Sequence, residues 1–378
     1  MPYVIATALS CLAAFVFERR PRWRWLMVVA ALPLFLVAAA RWNVGTDLHL
    51  TYLPEYRALE QVRGAGVSPD KVRAFRTLAR RHLFGRTPKG VCRHFKRVLR
   101  RSEPAYRLVM EGAHWSGVGF RGVLATCALL VSACVFLAIF KSSRWPSFAV
   151  FLYVATGNYF LSLNVMRQYV AVALGLLAVA FVLDRKPWRF IVCIAAAASF
   201  HYSAIALLPL YALSRIELTP RRGVALIAFA FALSFVMAPA VLWVFRSCGA
   251  VHYAKYFRMA LAHDGFEWIF FAINVCFLAM GAWYWRGATA GNRFFAIWYG
   301  MSVIGTAALA MSAAIPLMKR INYYYAAPQF LMLPEMLLAE TDVRRRRLLT
   351  VLAVLAFAAE AAISVLVFNK NGVWPYRI

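Results

Sequence analysis

A series of long apolar runs constrains this chain more than any other feature: Leu26–Ala40, Val123–Phe140, Phe148–Leu163, Tyr169–Leu183, Val224–Phe245, Ile269–Trp285, Phe294–Ala314 and Leu348–Phe368. Each approaches or reaches the roughly 20 apolar residues that a helix rising ~1.5 Å per residue needs to cross a bilayer. They are runs rather than stripes, so they cannot be the inward faces of amphipathic helices. A soluble fold could not hide them either: 63% of the 378 residues are hydrophobic and the mean hydropathy is +0.64, whereas globular chains average nearer half apolar. Only helices and closed barrels satisfy their backbone inside lipid, and runs of this length are helical. The expected fold is therefore all-α, a polytopic integral membrane protein with about ten to twelve transmembrane helices. With no internal repeat or flexible linker, residues 1–378 read as a single membrane domain.

Charge gives the orientation. The net charge is +28, from 43 basic and 15 acidic residues. In a membrane chain such an excess first reflects cytoplasmic loops rather than nucleic acid, which is not expected as a partner. Arg19–Arg24, Asp184–Arg189 and Asp342–Arg347 are short, strongly basic and expected inside. Pro2–Phe17 lacks a basic region before its apolar run and reads as a retained first span that starts outside. Counting forward puts residues 41–121 outside as a large periplasmic loop between the second and third spans. The segment Phe190–Leu213 breaks the parity. Read as one span it would send Arg344–Arg347 outside; read as a short-helix hairpin over 190–213, it restores them inside and brings His201 to the outer face. Within the external loop, Arg57–Arg101 carries 14 basic residues against Glu60 and Asp70. Apolar Val72, Phe75, Leu78 and Leu83 alternate there with arginines at helical spacing, which predicts basic amphipathic helices lying on membrane lipids.

Polar groups at the ends of spans are costly, and they mark functional candidates. They gather on the expected outer side: Arg41 and Asp47 after the second span, Glu103 after the basic insert, Arg167 and Gln168 opening the fifth span, His201 and Tyr202 at the hairpin turn, and Arg320 ahead of Tyr323. Each has a plainer reading, as an interfacial anchor, a turn histidine or an aromatic belt. Their convergence suits chemistry on a lipid-linked pyrophosphate. Arginines can hold a diphosphate bidentately and stabilise the charge of its departure, while a carboxylate or imidazole takes the proton of an attacking hydroxyl. The seven cysteines show no metal spacing, and there is no HExxH or DxD motif, so no metal and no cofactor is expected.

Several stretches stand in an order that resembles the EpsG family of Wzy-like polysaccharide polymerases. They are Arg41–Asp47 (R-x-N-x-G-T-D), Ser102–Tyr106 (E-P-x-aromatic), Asn164–Ala171 (N-x-x-R-Q-x-x-A), Ser199–Ala204 (F-H-x-S-A), Arg320–Tyr325 and the ending Trp374–Arg377. The basic insert is longer and more cationic than the family's loop. The resemblance implies a glycosyltransferase-C-like helical fold in the bacterial inner membrane, with its active site facing the periplasm or exterior. It also implies metal-independent transfer between units carried on undecaprenyl pyrophosphate, with a chain-length regulator as a further protein partner. On that basis Arg41, Arg167 and Arg320 would grip phosphate, and Gln168, Tyr202 and Tyr323 would hydrogen-bond sugar or phosphate. The base would be His201 or Asp47, with Glu103 third. An aspartate beside Arg41 would be the weaker base, which favours His201. A transporter or flippase of lipid-linked sugars, a polysaccharide ligase or a membrane acyltransferase are the rival readings.

Overall fold

The computed structural model describes residues 2–63, 102–247, 268–312, 314–315 and 318–378. Most of the basic insert, residues 64–101 with its expected amphipathic helices, lies outside the described residues. Among those described, every regular element is helical. The chain is an all-α polytopic membrane protein.

Five described helices are long and apolar enough to cross a membrane, or six when a pair bent by 75° counts as one span. They are α1 (Pro2–Arg19), α5 (Phe120–Ser142), α8 (Met166–Leu183), the first part of α11 (Pro220–Ser247), and α17 (Val343–Ala362) with the π-turn Ile363–Val367 that continues it. The bent pair is α12 (Trp268–Trp283) and α13 (Trp285–Gly291). The other apolar runs are divided into shorter helices. One such run becomes α6 (Pro146–Ala155) and α7 (Asn158–Asn164), separated at Gly157. Gly157 has φ 78°, ψ −3°, the left-handed conformation that glycine adopts without steric cost and that ends a helix.

The segment after α8 breaks in the same way. Helix α9 (Pro187–Phe200) ends at His201, whose extended backbone (φ −155°, ψ 113°) leads into the 3-10 turn Tyr202–Leu207 and then α10 (Pro209–Leu213). The chain doubles back here, since the Phe190 and Tyr211 rings lie 5.5 Å apart. Proline opens α4 (Pro104–Trp115), α6, α9 and α10, a position where its missing N–H is not needed and its fixed φ suits the helix.

Around these lie α2 (Leu26–Ala40), α3 (Leu53–Arg63), α14 (Phe295–Met311), α15 (Met318–Ala326) and α16 (Gln329–Ala339). The most completely buried helices are α6, α8, α14 and α16. Helix α17, with no fully buried residue of its own, runs along the outside. Its first turn is capped by Asp342, which accepts from the backbone N–H groups of Arg344 and Arg345.

The bundle has two chemically different ends. At one, Arg144 donates to Glu335 from its backbone N–H (2.8 Å) and from Nε (2.6 Å). Arg293 pairs with Asp184 at 2.9 Å, and Arg345 lies 3.4 Å from Glu340. The basic loops that follow α5 and α8 and that precede α17 therefore meet there. The other end holds the loop 41–47, the start of α8, His201 and the C-terminal tail.

Candidate functional site

The loop between α2 and the π-turn Leu48–Tyr52 is pinned from two sides. Gly45 has φ 98°, and a Cβ there would come 2.8 Å from the Leu163 carbonyl oxygen, so close packing on α7 demands glycine. Asn164 Oδ1 accepts from the Asp47 backbone N–H and the Thr46 hydroxyl, both at 3.0 Å. From the far end of the chain, the tail adds backbone bonds from Trp42 N–H to the Arg377 oxygen (2.8 Å) and from Gly45 N–H to the Gly372 oxygen (2.9 Å). The Gly-Thr-Asp stretch is thus seated on the α7–α8 joint.

Arg167, the second residue of α8, sits at the centre of the polar cluster. A cation is unfavourable at a helix N-terminus, where the macrodipole is positive, and carboxylates compensate it. Arg167 Nη1 donates to Glu103 Oε2 at 2.8 Å and to Glu55 Oε2 at 3.1 Å. Its guanidinium carbon lies 5.3 Å from the Tyr52 ring centroid and 5.0 Å from that of Tyr106, within cation–π range. Its hydrogen bonds to the two carboxylates all come from Nη1; the Nε–Nη2 edge donates to no group among the described residues.

Glu103 links this arginine to the imidazole. It occupies the N-cap position of α4, where the helix dipole favours a carboxylate, and α4 packs against α9, which delivers His201 from its C-terminus. Glu103 Oε1 and His201 Nδ1 are 2.8 Å apart. Burial works against the Glu103 carboxylate, but the His201 hydrogen bond and the Arg167 charge outweigh it and hold its carboxyl below the usual value. Since an ionised carboxylate only accepts, Nδ1 carries the proton and the Nε2 of a neutral imidazole keeps its lone pair.

Asp47 behaves differently. Burial raises its carboxyl above the ordinary value, against the opposing pull of Arg320 and Arg167. The sequence expectation that Arg41 would depress Asp47 is corrected here, because those two arginines are the cations that act on it. Glu55 is likewise raised by burial, opposed first by Arg167.

Arg41 itself lies apart from the cluster. It is only 2% exposed, beneath the joint. Its Nη1 donates to the Ala38 carbonyl, and Nη2 lies 3.5 Å from both the Leu163 oxygen and Met166 Sδ. In this structure it therefore meets backbone, with no opening that would admit a diphosphate: the adjoining void is about 10 Å³. Gln168 Nε2 donates to the Arg320 carbonyl at 2.8 Å, so it places the start of α15 rather than offering that donor to a ligand. Arg320 is exposed, Tyr202 is 55% exposed, and Tyr323 is half-buried beside a larger cavity. Behind His201, the hydroxyls of Ser203 and Tyr324 are 2.9 Å apart.

Sequence reasoning missed Glu55 and Tyr52 as members of this cluster, whereas Tyr106 and Asn164 stood in stretches it had singled out. A signal existed for Glu55: like Glu103 it adjoins a proline at a helix start and precedes a tyrosine. Its place next to the basic insert hid it. Among the described residues no group of three or more His, Cys, Asp or Glu side chains could hold a metal ion. Counted as charges, Asp47, Glu55 and Glu103 face Arg167 and Arg320. An anion here would be held by directed hydrogen bonds rather than by a net positive field.

Comparison with known proteins gives one result. The model of the EpsG family matches residues 24–378, nearly the whole chain. No curated protein and no solved structure matches it.

Proposed function

The chain belongs to the EpsG family of Wzy-like polysaccharide polymerases, and from that premise we propose that it joins lipid-linked repeat units with His201 as general base. The observation that carries this reading is the relay Arg167–Glu103–His201, in which one carboxylate bonds a cation through one oxygen and an imidazole through the other. Glu103 has both oxygens engaged and a depressed carboxyl, which makes it a poor base and a good positioning group. It sets the His201 tautomer so that Nε2 can accept a proton.

The donor is a glycan whose anomeric carbon is bonded to undecaprenyl pyrophosphate. An acceptor hydroxyl oxygen attacks that carbon and forms the new glycosidic bond, and its proton passes to His201 Nε2. The carbon–oxygen bond to pyrophosphate breaks, and the leaving diphosphate takes the electron pair. The exposed Arg320 and the Nε–Nη2 edge of Arg167 stabilise that charge through paired hydrogen bonds. Asp47 stands beside both arginines, and a diphosphate arriving there would push its carboxyl higher still. Protonated, it would donate to the phosphate instead of repelling it.

The side of action follows from charge. The opposite end of the bundle gathers the short basic loops, which face the cytoplasm under the positive-inside rule. The Arg167 cluster then faces the periplasm or exterior of a bacterial inner membrane, where both lipid-linked substrates would be presented.

The test is purified protein in nanodiscs supplied with one lipid-linked repeat unit. A ladder of multiples supports polymerisation. Unchanged single units would overturn it, and transfer of a single chain to a different acceptor would point to a ligase.

A further inference from the structure

Beside the cluster lies a cleft of about 330 Å³ between α7, α15, α17 and the tail, within the size range of small-ligand sites. It reaches from the helix break at Gly157 to the tail at Asn371, and nothing in the transfer reaction described above uses it. Polar side chains inside a membrane bundle are costly unless something polar meets them, and this wall is rich in them.

Four amides line it, those of Asn158, Asn164, Asn322 and Asn371. Asn158 is locked in orientation, accepting from the Tyr169 hydroxyl (3.0 Å) and donating to Thr156 Oγ1 (2.9 Å). Asn164 offers its Oδ1 to the Asp47 loop, while its Nδ2 donates to no group among the described residues. Asn322 is 8% exposed, and its Oδ1 is buried against Gly305 of α14, so this amide lies at the seam of α14 and α15 behind the cleft wall. Tyr323 and Phe270 add aromatic surface. Glu360 and Lys370 both line the cleft, and Lys370 Nζ stands 3.3 Å from the Phe270 ring centroid.

These groups select a ligand by exclusion. Amides at the depth of the helix break disfavour a lipid tail. Lys319 and Lys370 stand with Glu360 in the wall, so charge alone does not select the ligand. Mixed amides, hydroxyls, aromatic faces and both signs of charge suit a neutral molecule dense in hydroxyl groups. The cleft also shares a wall with the reaction centre: Asn164 holds the Asp47 loop, and Asn322 lies two residues beyond Arg320. We infer that this cleft binds a sugar residue of the acceptor glycan and thereby aims its attacking hydroxyl at the cluster. The inference rests on the polymerase reading and adds to it a binding site that the transfer chemistry does not by itself require.

The probe is the repeat-unit oligosaccharide freed from its lipid and labelled at its reducing end. It retains the attacking hydroxyl and can accept a chain from a lipid-linked donor. Saturation-transfer NMR on protein in nanodiscs, with no donor present, reads its binding, and a labelled-product assay reads its KM as acceptor. Ala361→Trp, which fills the cleft from α17, should weaken binding and raise acceptor KM at least about 10-fold, with kcat within about threefold. Asn371→Ala truncates a half-buried side chain of the tail and should raise KM about threefold or more, roughly the loss of one hydrogen bond.

Wild-type binding no stronger than in empty nanodiscs overturns the inference. So does a folded Ala361→Trp with unchanged acceptor KM, and so does an Asn371→Ala with wild-type KM if Ala361→Trp fails to fold. The two readings fail separately. Absence of any ladder from wild-type protein defeats polymerisation even where the free glycan binds, while a normal ladder with cleft variants indifferent to acceptor defeats only the cleft.

Discussion

Arg41 and Arg167 lie on either side of the same helix joint, and their fates differ completely. Arg41 reaches under it to the Leu163 carbonyl and Met166; Arg167 leaves it on the other side, among two carboxylates and two tyrosine rings. Both stand at the end of an apolar run, and both carry the same family resemblance. The difference is what each meets: carbonyl oxygens use an arginine to hold backbone, whereas ionisable partners next to an opening leave an edge of it for chemistry. Burial alone does not identify a functional cation.

The sharpest way to break this contrast is Arg167→Lys. A lysine keeps the charge but cannot bridge Glu55 and Glu103 while presenting a second donor edge, so ladder formation should fall about 10³-fold. Near-normal rates would remove Arg167 from the reaction. His201→Ala should cost about 10²-fold or more, the usual worth of a positioned general base. An alanine variant as active as wild type would hand that role to Asp47.

Glu103→Gln should cost about 10-fold, at the lower end of what losing a histidine's orienting partner costs at metal sites. It should also change the pH profile of kcat, because the amide no longer fixes the His201 tautomer. An effect on kcat that is the same at every pH would make Glu103 a structural residue only. Arg41→Lys should show the reverse pattern. Specific activity of the folded fraction should stay within about threefold, while stability falls by about 1–3 kcal/mol as buried carbonyls lose donors. A thermal melt paired with the ladder assay separates the two, and a large activity loss at unchanged melting temperature would bring Arg41 into the site.

Asp47→Asn should produce the smallest shift in stability, with an opposite sign. Burial raises the Asp47 carboxyl in the folded state, so the folded protein holds that proton more tightly than the unfolded chain. Its favourable contribution is complete below the ordinary carboxylate value and is lost as pH rises through the raised one. At neutral pH the asparagine variant should therefore melt about 1–3 °C higher, and the gain should vanish in acid. A lower melting temperature at pH 7 would contradict the burial of Asp47.

The membrane architecture was legible in the apolar runs because long apolar segments admit few alternatives in water or lipid. His201 could be named as a turn candidate because charge parity favoured a reversal near it, and α9 ends at that residue. Arg167, Glu103 and His201 could be named as candidates, but not as a connected relay. Glu55 was invisible in its role, lying next to a basic insert whose charge dominates the local pattern. The 10–12 crossings counted from hydropathy differ from the five or six described helices of spanning length for a related reason. A hydropathy window cannot tell a continuous span from one broken at Gly157 or His201.

By itself, then, the sequence determined the solvent, the helical class and the end of the bundle where polar groups would collect. Those follow from transfer energies summed along the chain, which do not depend on which helices touch. Only the tertiary structure decided that Arg41 would serve the backbone and Arg167 the site. That choice depends on packing α4 against α9 and on seating the 41–47 loop on α7. Such contacts join residues separated by about a hundred positions or more, and no local pattern encodes them.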